Sequence, residues 1–342
     1  MELQIIWFVL WTVLWAVYFM LDGFVLGTAI ISGILGKSDM EKRILLNSIG
    51  PVWNGNEVWL ITAGGATFAA FPTTYALMFS YLYSALLLLL FALIIRGVAL
   101  EFRGKVDNVS WRSSFDKAII LSGFIPALLF GVAFGNIFKG LPMDNAGYHG
   151  SLLMLLNPYG LITGVLFVLL FAMHGALYAC VKTGGELSSR AKRLAGSLWI
   201  PLLVVAVIFL GDTKFATRLY ENYFQWPVLL LIPAVAVTAL IAVKYFTARG
   251  AMLKSFAASC VTILFVIFTG VAGLFPNLIP SSIDPAYNLT IYNSSSSRYT
   301  LAIMTFVALI FVPVVIIYKI WVYRIFGAKV DEKDVLNNSE AY

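Results

Sequence analysis

Nine apolar segments, separated by short polar stretches, run along this chain. A helix that crosses the hydrocarbon core of a membrane needs about 20 predominantly apolar residues. The pattern therefore predicts an all-α polytopic membrane protein with nine transmembrane helices, of which the sixth is the shortest. The predicted spans cover residues 5–34, 52–71, 74–98, 115–138, 159–181, 196–211, 227–246, 255–275 and 299–322.

The distribution of lysine and arginine predicts the orientation of these helices. Most of the 23 basic residues follow odd-numbered spans or lie near the C-terminal end, a set that includes Arg96 and Lys319. Cytoplasmic loops of membrane proteins carry an excess of lysine and arginine. The N-terminus is therefore predicted to lie outside and the C-terminus in the cytoplasm. The opposite side holds Lys139, Lys214, Arg218 and Arg298.

A faint internal repeat suggests how the helices are grouped. The segment 131–133 (Gly-Val-Ala) in span four resembles the segment 270–272 in span eight. Four spans per unit predict two parallel four-helix bundles and one peripheral helix, although small residues at helix contacts explain the match equally well. The predicted units are a first four-helix bundle (1–138), a second four-helix bundle (159–275), an outer loop (276–298), and a ninth helix with a cytoplasmic tail (299–342).

Composition agrees with this interpretation and excludes several classes of protein. The 342 residues are 61% hydrophobic and 12% charged, whereas soluble domains hold about 25% charged residues. The formal charge of +6 reflects cytoplasmic loops rather than nucleic-acid binding. Cys180 and Cys260 lie far apart in apolar runs, which argues against a disulfide framework. The run from Leu3 is too long for a signal-peptide core and is predicted to be a retained first span.

The segment 51–59 places polar chemistry at the start of the second predicted span. A charge at membrane depth costs at least ~2.5–3.5 kcal/mol, so Glu57 must face a protein interior or a water-filled path. Asn54 lies three residues before Glu57 and Trp53 lies four residues before it, so all three are predicted to share one helix face. We expect the function of the chain to lie on that face.

Asp22 is a second acid within a predicted span. Span one runs inward and span two outward, so Asp22 and Glu57 are both predicted to lie in the cytoplasmic half of the membrane. Burial favours the protonated form of a carboxyl group, which makes such a pair suited to carrying protons. The alternative is structural, with Asp22 accepting hydrogen bonds from backbone amides beside Gly23 and Glu57 capping a helix or pairing with a cation.

His174, two tryptophans and a glycine pair support separate hypotheses. His174 is predicted at cytoplasmic depth, where a structural hydrogen bond is the default and a proton relay the alternative. The chain has 2 histidines, and the other, His149, lies in an outer loop, so no bis-histidine haem or metal site is predicted. Trp53 and Trp59 fit interfacial anchors, and the pair 64–65 (Gly-Gly) predicts close helix packing. The sequence contains no P-loop, GxSxG or dinucleotide motif.

The chain resembles the second subunit of cytochrome bd-type quinol oxidases at many segments in order, over nearly its whole length. The most specific block is 55–65 (GNEVWLITAGG), which includes Gly55 and Asn56 and is followed by 68–70. The other matching segments are 21–24, 47–49, 51–53, 131–136, 156–161, 174–176, 182–183, 185–187, 275–276 and 280–282.

This resemblance implies the role of the chain and its partners. It implies a partner, subunit I, that holds two haems b and one haem d, oxidises quinol at the outer face and reduces dioxygen to water. The second subunit would bind no haem or metal itself, would help to supply cytoplasmic protons, and would contribute to the proton motive force. A bacterial or archaeal cytoplasmic (inner) membrane, bound lipid and a small single-span subunit are further expectations.

Two positions depart from the pattern of that family. The family often has aspartate where this chain has Val25 and again where it has Asn54. An asparagine orients water but does not ionise. We therefore expect Glu57, one turn further along the same face, to take over the role of the missing carboxylate.

Two other classes of function remain open at this point. A secondary transporter or ion permease would also bury acids within a helical bundle, and would carry broken helices at matching positions of its two halves. Span two has a possible break at Gly55, but span six has no equivalent polar cluster. A purely structural assembly factor would not need Asp22 and Glu57 at the same depth.

Overall fold

The computed structural model describes residues 2–337 and 342, and these form an almost entirely helical protein. Two short antiparallel hairpins pair Met143–Asp144 (β1) with Gly147–Tyr148 (β2) and Asn277–Ile279 (β3) with Leu289–Thr290 (β4). The α-helices are α1 (Glu2–Leu35), α2 (Asp39–Ile49), α3 (Trp53–Ala70), α4 (Pro72–Tyr81), α5 (Tyr83–Phe102), α6 (Val109–Lys139), α7 (Pro158–Lys182), α8 (Gly185–Ala216), α9 (Tyr220–Gln225), α10 (Leu231–Ala248), α11 (Met252–Leu274), α12 (Arg298–Ile325) and α13 (Glu332–Asn337).

Eight helical segments within the described residues are long and apolar enough to cross a membrane. They comprise α1, α5, α6, α7, α8, the segment 227–248 that contains α10, α11 and α12. The second predicted span corresponds to α3, which has 18 residues and is not among the eight because its first turn is polar. The third predicted span is divided at Leu82 between α4 and α5. The short sixth span is the apolar part of α8, a helix of 32 residues that begins with charged turns.

Helix α1 lies at the centre of the fold and packs against α3, α6, α7 and α11. The contact with α7 is unusually close. A Cβ atom added at Gly27 would lie 1.8 Å from the carbonyl oxygen of Phe171, and one at Gly175 would lie 2.3 Å from the amide nitrogen of Thr28. Only glycine leaves room for two helix backbones to approach so closely. Helix α12, in contrast, is peripheral, and Leu301 is its one fully buried residue.

The two faces of the molecule are held by different contacts. At the end where α3 terminates, Ser296 caps that helix, because its amide donates to the Ala70 carbonyl at 2.9 Å and its hydroxyl donates to the Ala69 carbonyl at 2.6 Å. At the opposite end of the bundle, Glu41 and Arg190 join α2 to α8 with an ion pair of 2.6 Å. The hydrogen bond from Arg190 lowers the pKa of the Glu41 carboxyl below its ordinary value.

Candidate functional site

Three charged side chains from three helices meet inside the protein. The Arg96 guanidinium of α5 has no exposed surface, and its Nη1 donates to Asp22 Oδ2 of α1 at 2.8 Å. Its Nη2 forms an ion pair with Glu57 Oε1 of α3. The Tyr18 hydroxyl, one turn before Asp22, donates to the same carboxylate oxygen at 3.1 Å. We call Asp22, Glu57 and Arg96 the carboxylate–arginine group.

The two acids of this group differ in access to the surface. The Asp22 side chain is 0% exposed, whereas the Glu57 side chain is 24% exposed. Within the described part of the chain, Asp22 Oδ1 and Arg96 Nε are buried without a hydrogen-bond partner. Buried polar atoms of this kind are normally satisfied by water. The two acids thus differ in surroundings: Asp22 is fully enclosed, whereas Glu57 reaches the surface of the chain.

Arg96 corrects the assignment made from the sequence. The charge count placed it among the cytoplasmic-loop cations, yet it lies six residues before the end of α5 and is completely buried. An arginine in a buried position needs anionic partners, because an unpaired charge in the interior is very unfavourable. Asp22 and Glu57 supply them. The structure thus brings together the two predicted acids, with a cation between them that the hydropathy pattern did not reveal.

Asn56 connects α3 to two other helices. Its Nδ2 donates to the Leu21 carbonyl of α1 at 2.8 Å, and its Oδ1 accepts from the Tyr323 hydroxyl of α12 at 2.9 Å. The Lys319 amine of α12 donates to the Gly55 carbonyl and lies 3.4 Å from Asn56 Oδ1. Lys319, counted as a C-terminal cation from the sequence, therefore contacts the first turn of α3 from within α12.

The remaining predicted residues of α3 have different surroundings. Asn54 is exposed. Trp53 is buried rather than facing lipid, and its indole donates to the Tyr342 hydroxyl at 3.2 Å. Trp59 is partly buried. A Cβ atom at Gly64 or Gly65 would meet nothing within 4 Å, so the predicted close packing at these glycines does not occur within the described residues of this chain.

His174 is a structural junction between three helices. Its Nδ1 lies 2.7 Å from the Ser259 hydroxyl of α11, and its Nε2 lies 3.0 Å from the Met20 carbonyl of α1. A carbonyl oxygen only accepts, so Nε2 carries the hydrogen. The imidazole also stacks on Phe256 with the ring centroids 4.8 Å apart. The structure does not place His174 in direct contact with the carboxylate–arginine group.

The two histidines of this chain lie in different surroundings. Both ring nitrogens of His174 are engaged inside the protein. His149 lies in the loop between β2 and α7, where its Nε2 is 2.8 Å from Asp144 Oδ1. This hydrogen bond lowers the pKa of the Asp144 carboxyl. Residues 2–337 and 342 contain no group of three or more histidine, cysteine, aspartate or glutamate side chains that could hold a metal ion.

Comparison with known proteins places this geometry in a family. The family model described as cytochrome bd terminal oxidase subunit II matches residues 3–326. The cytochrome bd ubiquinol oxidase subunit 2 of Bacillus subtilis is 36% identical, over 97% of this chain and 98% of that protein. The probable cytochrome oxidase subunit 2 of Haemophilus influenzae is 35% identical, over 99% of this chain and 98% of its own length.

A solved structure has the same fold. The structure of bd oxidase from Geobacillus thermodenitrificans contains a chain that matches with a TM-score of 0.78 at 17% identity, covering 95% of this chain and 99% of that one. The family match, the two relatives and the fold agree over nearly the full length. The chain belongs to the cytochrome bd terminal oxidase subunit II family.

Proposed function

We propose that this subunit conducts protons from the cytoplasm to the oxygen-reducing site of its partner, with Glu57 as the group that takes up and releases each proton. The partner is subunit I of the oxidase, which by this proposal holds two haems b and one haem d and oxidises quinol at the outer face. Nine transmembrane helices in two four-helix bundles plus one, in a bacterial or archaeal inner membrane with the N-terminus outside, complete the proposal. The family assignment does not favour a transporter.

The observation that carries this proposal is the unequal exposure of two carboxylates that share one guanidinium. Asp22, fully enclosed, is fixed by Arg96 and Tyr18. Glu57 shares Arg96 but retains 24% of its side-chain surface. With a proton on Glu57 and Asp22 ionised, the carboxylate–arginine group has no net charge. An uncompensated charge in the protein interior is energetically unfavourable. This group is therefore suited to binding one proton and passing it on.

Replacing Glu57 by glutamine tests the proposal. The amide keeps the size of the side chain but does not ionise. Oxygen consumption by the purified complex should fall by about tenfold or more, since losing a proton-transfer group typically costs 10²–10⁴ in rate. The visible haem spectrum of the complex should not change.

The matched control is Glu186→Gln, because Glu186 is 67% exposed and forms an exposed pair with Arg193. This variant should consume oxygen at the normal rate. If Glu57→Gln also turns over normally, Glu57 has no part in proton delivery and the proposal is wrong.

The outer face of α3 fits the site where the partner subunit binds. Ile61 is 73% exposed, Phe68 is 59% exposed and Val58 is 51% exposed. Gly65 lies on the same exposed surface with open space around it. Small residues at such positions allow a second helix to pack closely. A partner on this face would also lie beside Glu57, which is where a proton would have to cross between subunits.

A bulky residue at Gly65 should therefore block assembly without disturbing this chain. In the Gly65→Trp variant the indole has free space within the chain, so the subunit should still accumulate in membranes. Subunit I should no longer purify with an affinity-tagged copy of it. Gly211→Trp on α8, another glycine with no atom within 4 Å of an added Cβ, should retain subunit I. Normal recovery of subunit I with Gly65→Trp would place the interface elsewhere.

A further inference from the structure

The segment that follows α12 lies against the surface of the bundle. At the end of α7, the Lys182 amine donates to two of its carbonyl groups, and the Val330 amide donates to the Lys182 carbonyl at 2.8 Å. Further along, Val335 of α13 is buried, and α13 packs against α2. This segment, which we call the strap and which comprises residues 326–337 and Tyr342, therefore runs from the end of α7 to α2.

Side chains of three helices hold Tyr342. Its hydroxyl accepts a hydrogen bond from the Trp53 indole of α3 at 3.2 Å and donates one to Glu101 Oε1 of α5 at 2.8 Å. Its amide donates to Asn47 Oδ1 of α2 at 3.0 Å. Its carbonyl oxygen accepts from Arg43 Nε and Asn47 Nδ2, each at 3.1 Å. Both the phenol and the main chain of this one residue are therefore bound.

Gly50, just after α2, leaves the space that the Tyr342 ring occupies. Its backbone has φ −46° and ψ −51°, a right-handed helical conformation that does not require glycine. A Cβ atom added there would lie 2.3 Å from Cε2 and 2.6 Å from Cδ2 of Tyr342, and its three nearest neighbours all belong to that ring. Glycine at this position therefore makes room for the tyrosine ring.

The hydrogen-bonding groups around the ring select a hydroxyl. An indole N–H only donates, and an ionised carboxylate only accepts. The group between Trp53 and Glu101 must therefore accept from one and donate to the other at the same time, which a hydroxyl does. Phenylalanine would fill the space beside Gly50 but would do neither, and tryptophan would only donate. Of the three large aromatic side chains, tyrosine alone matches both the space and the polar groups.

The residues that contact Tyr342 form what we call the tyrosine pocket, namely Arg43, Asn47, Gly50, Trp53 and Glu101. We propose that the tyrosine pocket is a recognition site for Tyr342, and that its occupation keeps the strap closed over the end of the bundle where α2 and α5 end and α3 begins. Emptying the pocket removes the attachment that follows α13, so α13 should detach from α2 more often. This inference is independent of the proposed function, because it requires no proton transfer.

Tryptic cleavage at Lys333 in the complete oxidase tests the inference. Lys333 is exposed but lies within α13, and a protease cleaves such a peptide bond only after the helix has detached and unfolded locally. Tyr342→Ala empties the pocket, so cleavage at Lys333, followed by mass spectrometry, should be about tenfold faster than in the unaltered oxidase. Tyr342→Phe keeps the ring but loses both hydrogen bonds of the hydroxyl, so its cleavage rate should lie between the two.

Gly50→Ala tests the pocket without altering the tyrosine. The added Cβ displaces the ring, so cleavage at Lys333 should again be several-fold faster. In the double variant with Tyr342→Ala no ring remains to be displaced, so its cleavage rate should match that of Tyr342→Ala alone. The matched control is Tyr299→Ala, which removes a tyrosine that is 76% exposed in the first turn of α12, and its cleavage rate should be normal.

Cleavage at the normal rate in both Tyr342→Ala and Gly50→Ala, or no cleavage at Lys333 in either, would overturn the inference. Rates that multiply in the double variant would show that Gly50 acts other than through the Tyr342 ring and would overturn it as well. If Tyr342→Ala does not assemble, a normal cleavage rate in Tyr342→Phe would have the same consequence. Turnover of the Glu57→Gln oxidase tests the proposed function separately, because the cleavage rates do not depend on Glu57.

Discussion

Replacing Arg96 by methionine is expected to remove most of the assembled oxidase from membranes. Asp22 is completely enclosed and relies on Arg96 and Tyr18. Removing one partner of a buried ion pair leaves an uncompensated charge and costs about 3–5 kcal/mol. Total stabilities of folded proteins are only about 5–15 kcal/mol. The measurement is the haem absorbance of solubilised membranes per milligram of protein, together with the thermal unfolding of whatever complex is recovered.

Two further variants show whether the charge itself is responsible. Arg112→Met removes an arginine that is 32% exposed and pairs with Asp107 at 2.5 Å and with Asp39 at 3.6 Å, and such surface pairs contribute about 0–1 kcal/mol. That complex should assemble normally. Adding Asp22→Asn to Arg96→Met removes the orphaned charge and should recover part of the lost complex. Normal assembly of Arg96→Met alone would mean that the site tolerates an unpaired buried acid, contrary to our interpretation.

The helical architecture could be predicted from the sequence because apolar runs of sufficient length have few alternatives in a membrane. Helix boundaries were predicted less well, for identifiable reasons. Helix α8 begins at Gly185 and its first turns are charged, so hydropathy detects only its apolar part. Helix α3 has Asn54, Asn56 and Glu57 in its first turns. Their polarity, which marks the site, is also what lowers the hydropathy of that helix.

The sequence predicts the acidic residues of the candidate site but not its basic residues. Asp22 and Glu57 stand out because acids within apolar runs are rare. Arg96 and Lys319 did not, because basic side chains near helix ends usually extend to the membrane surface. Which helices meet is decided by packing between segments far apart in the chain. The pairing of α5 with α1 and α3, which buries Arg96, therefore needed three-dimensional information.

The glycines also show that helix contacts could not be predicted from the sequence. The sequence marked 64–65 (Gly-Gly) as a place where helices pack closely, yet open space surrounds both glycines within the described chain. Gly27 and Gly175 make the closest contact between two helix backbones, and no pair of neighbouring glycines marks either position in the sequence. A glycine pattern shows that small residues line one face of a helix, but it does not show which other helix packs on that face. The default structural role of His174 agrees with the contacts in the structure, and its role as a relay remains a hypothesis.

Substituting alanine for Gly27 is expected to destabilise the complex strongly. The new Cβ atom would lie 1.8 Å from the Phe171 carbonyl oxygen, and no rotamer change moves a backbone atom. Helices α1 and α7 must therefore separate. This separation strains the hydrogen bond between His174 and the Met20 carbonyl and shifts the part of α1 that carries Asp22. Overpacking of this kind costs about 1–3 kcal/mol or more. Thermal unfolding of the purified complex, followed by loss of the haem spectrum, measures the effect.

The opposite result is expected at Gly211, which lies within α8 with nothing near an added Cβ atom. Alanine is a better helix former than glycine by about 1 kcal/mol, so Gly211→Ala should unfold at the same temperature or slightly higher. The two variants add the same methyl group, and only the neighbouring backbone differs. If both unfold at the same temperature, α1 and α7 do not approach as closely as the distances at Gly27 indicate, and the prediction is wrong. A decrease confined to Gly27→Ala would show that the close approach of α1, which carries Asp22, to α7 stabilises the complex.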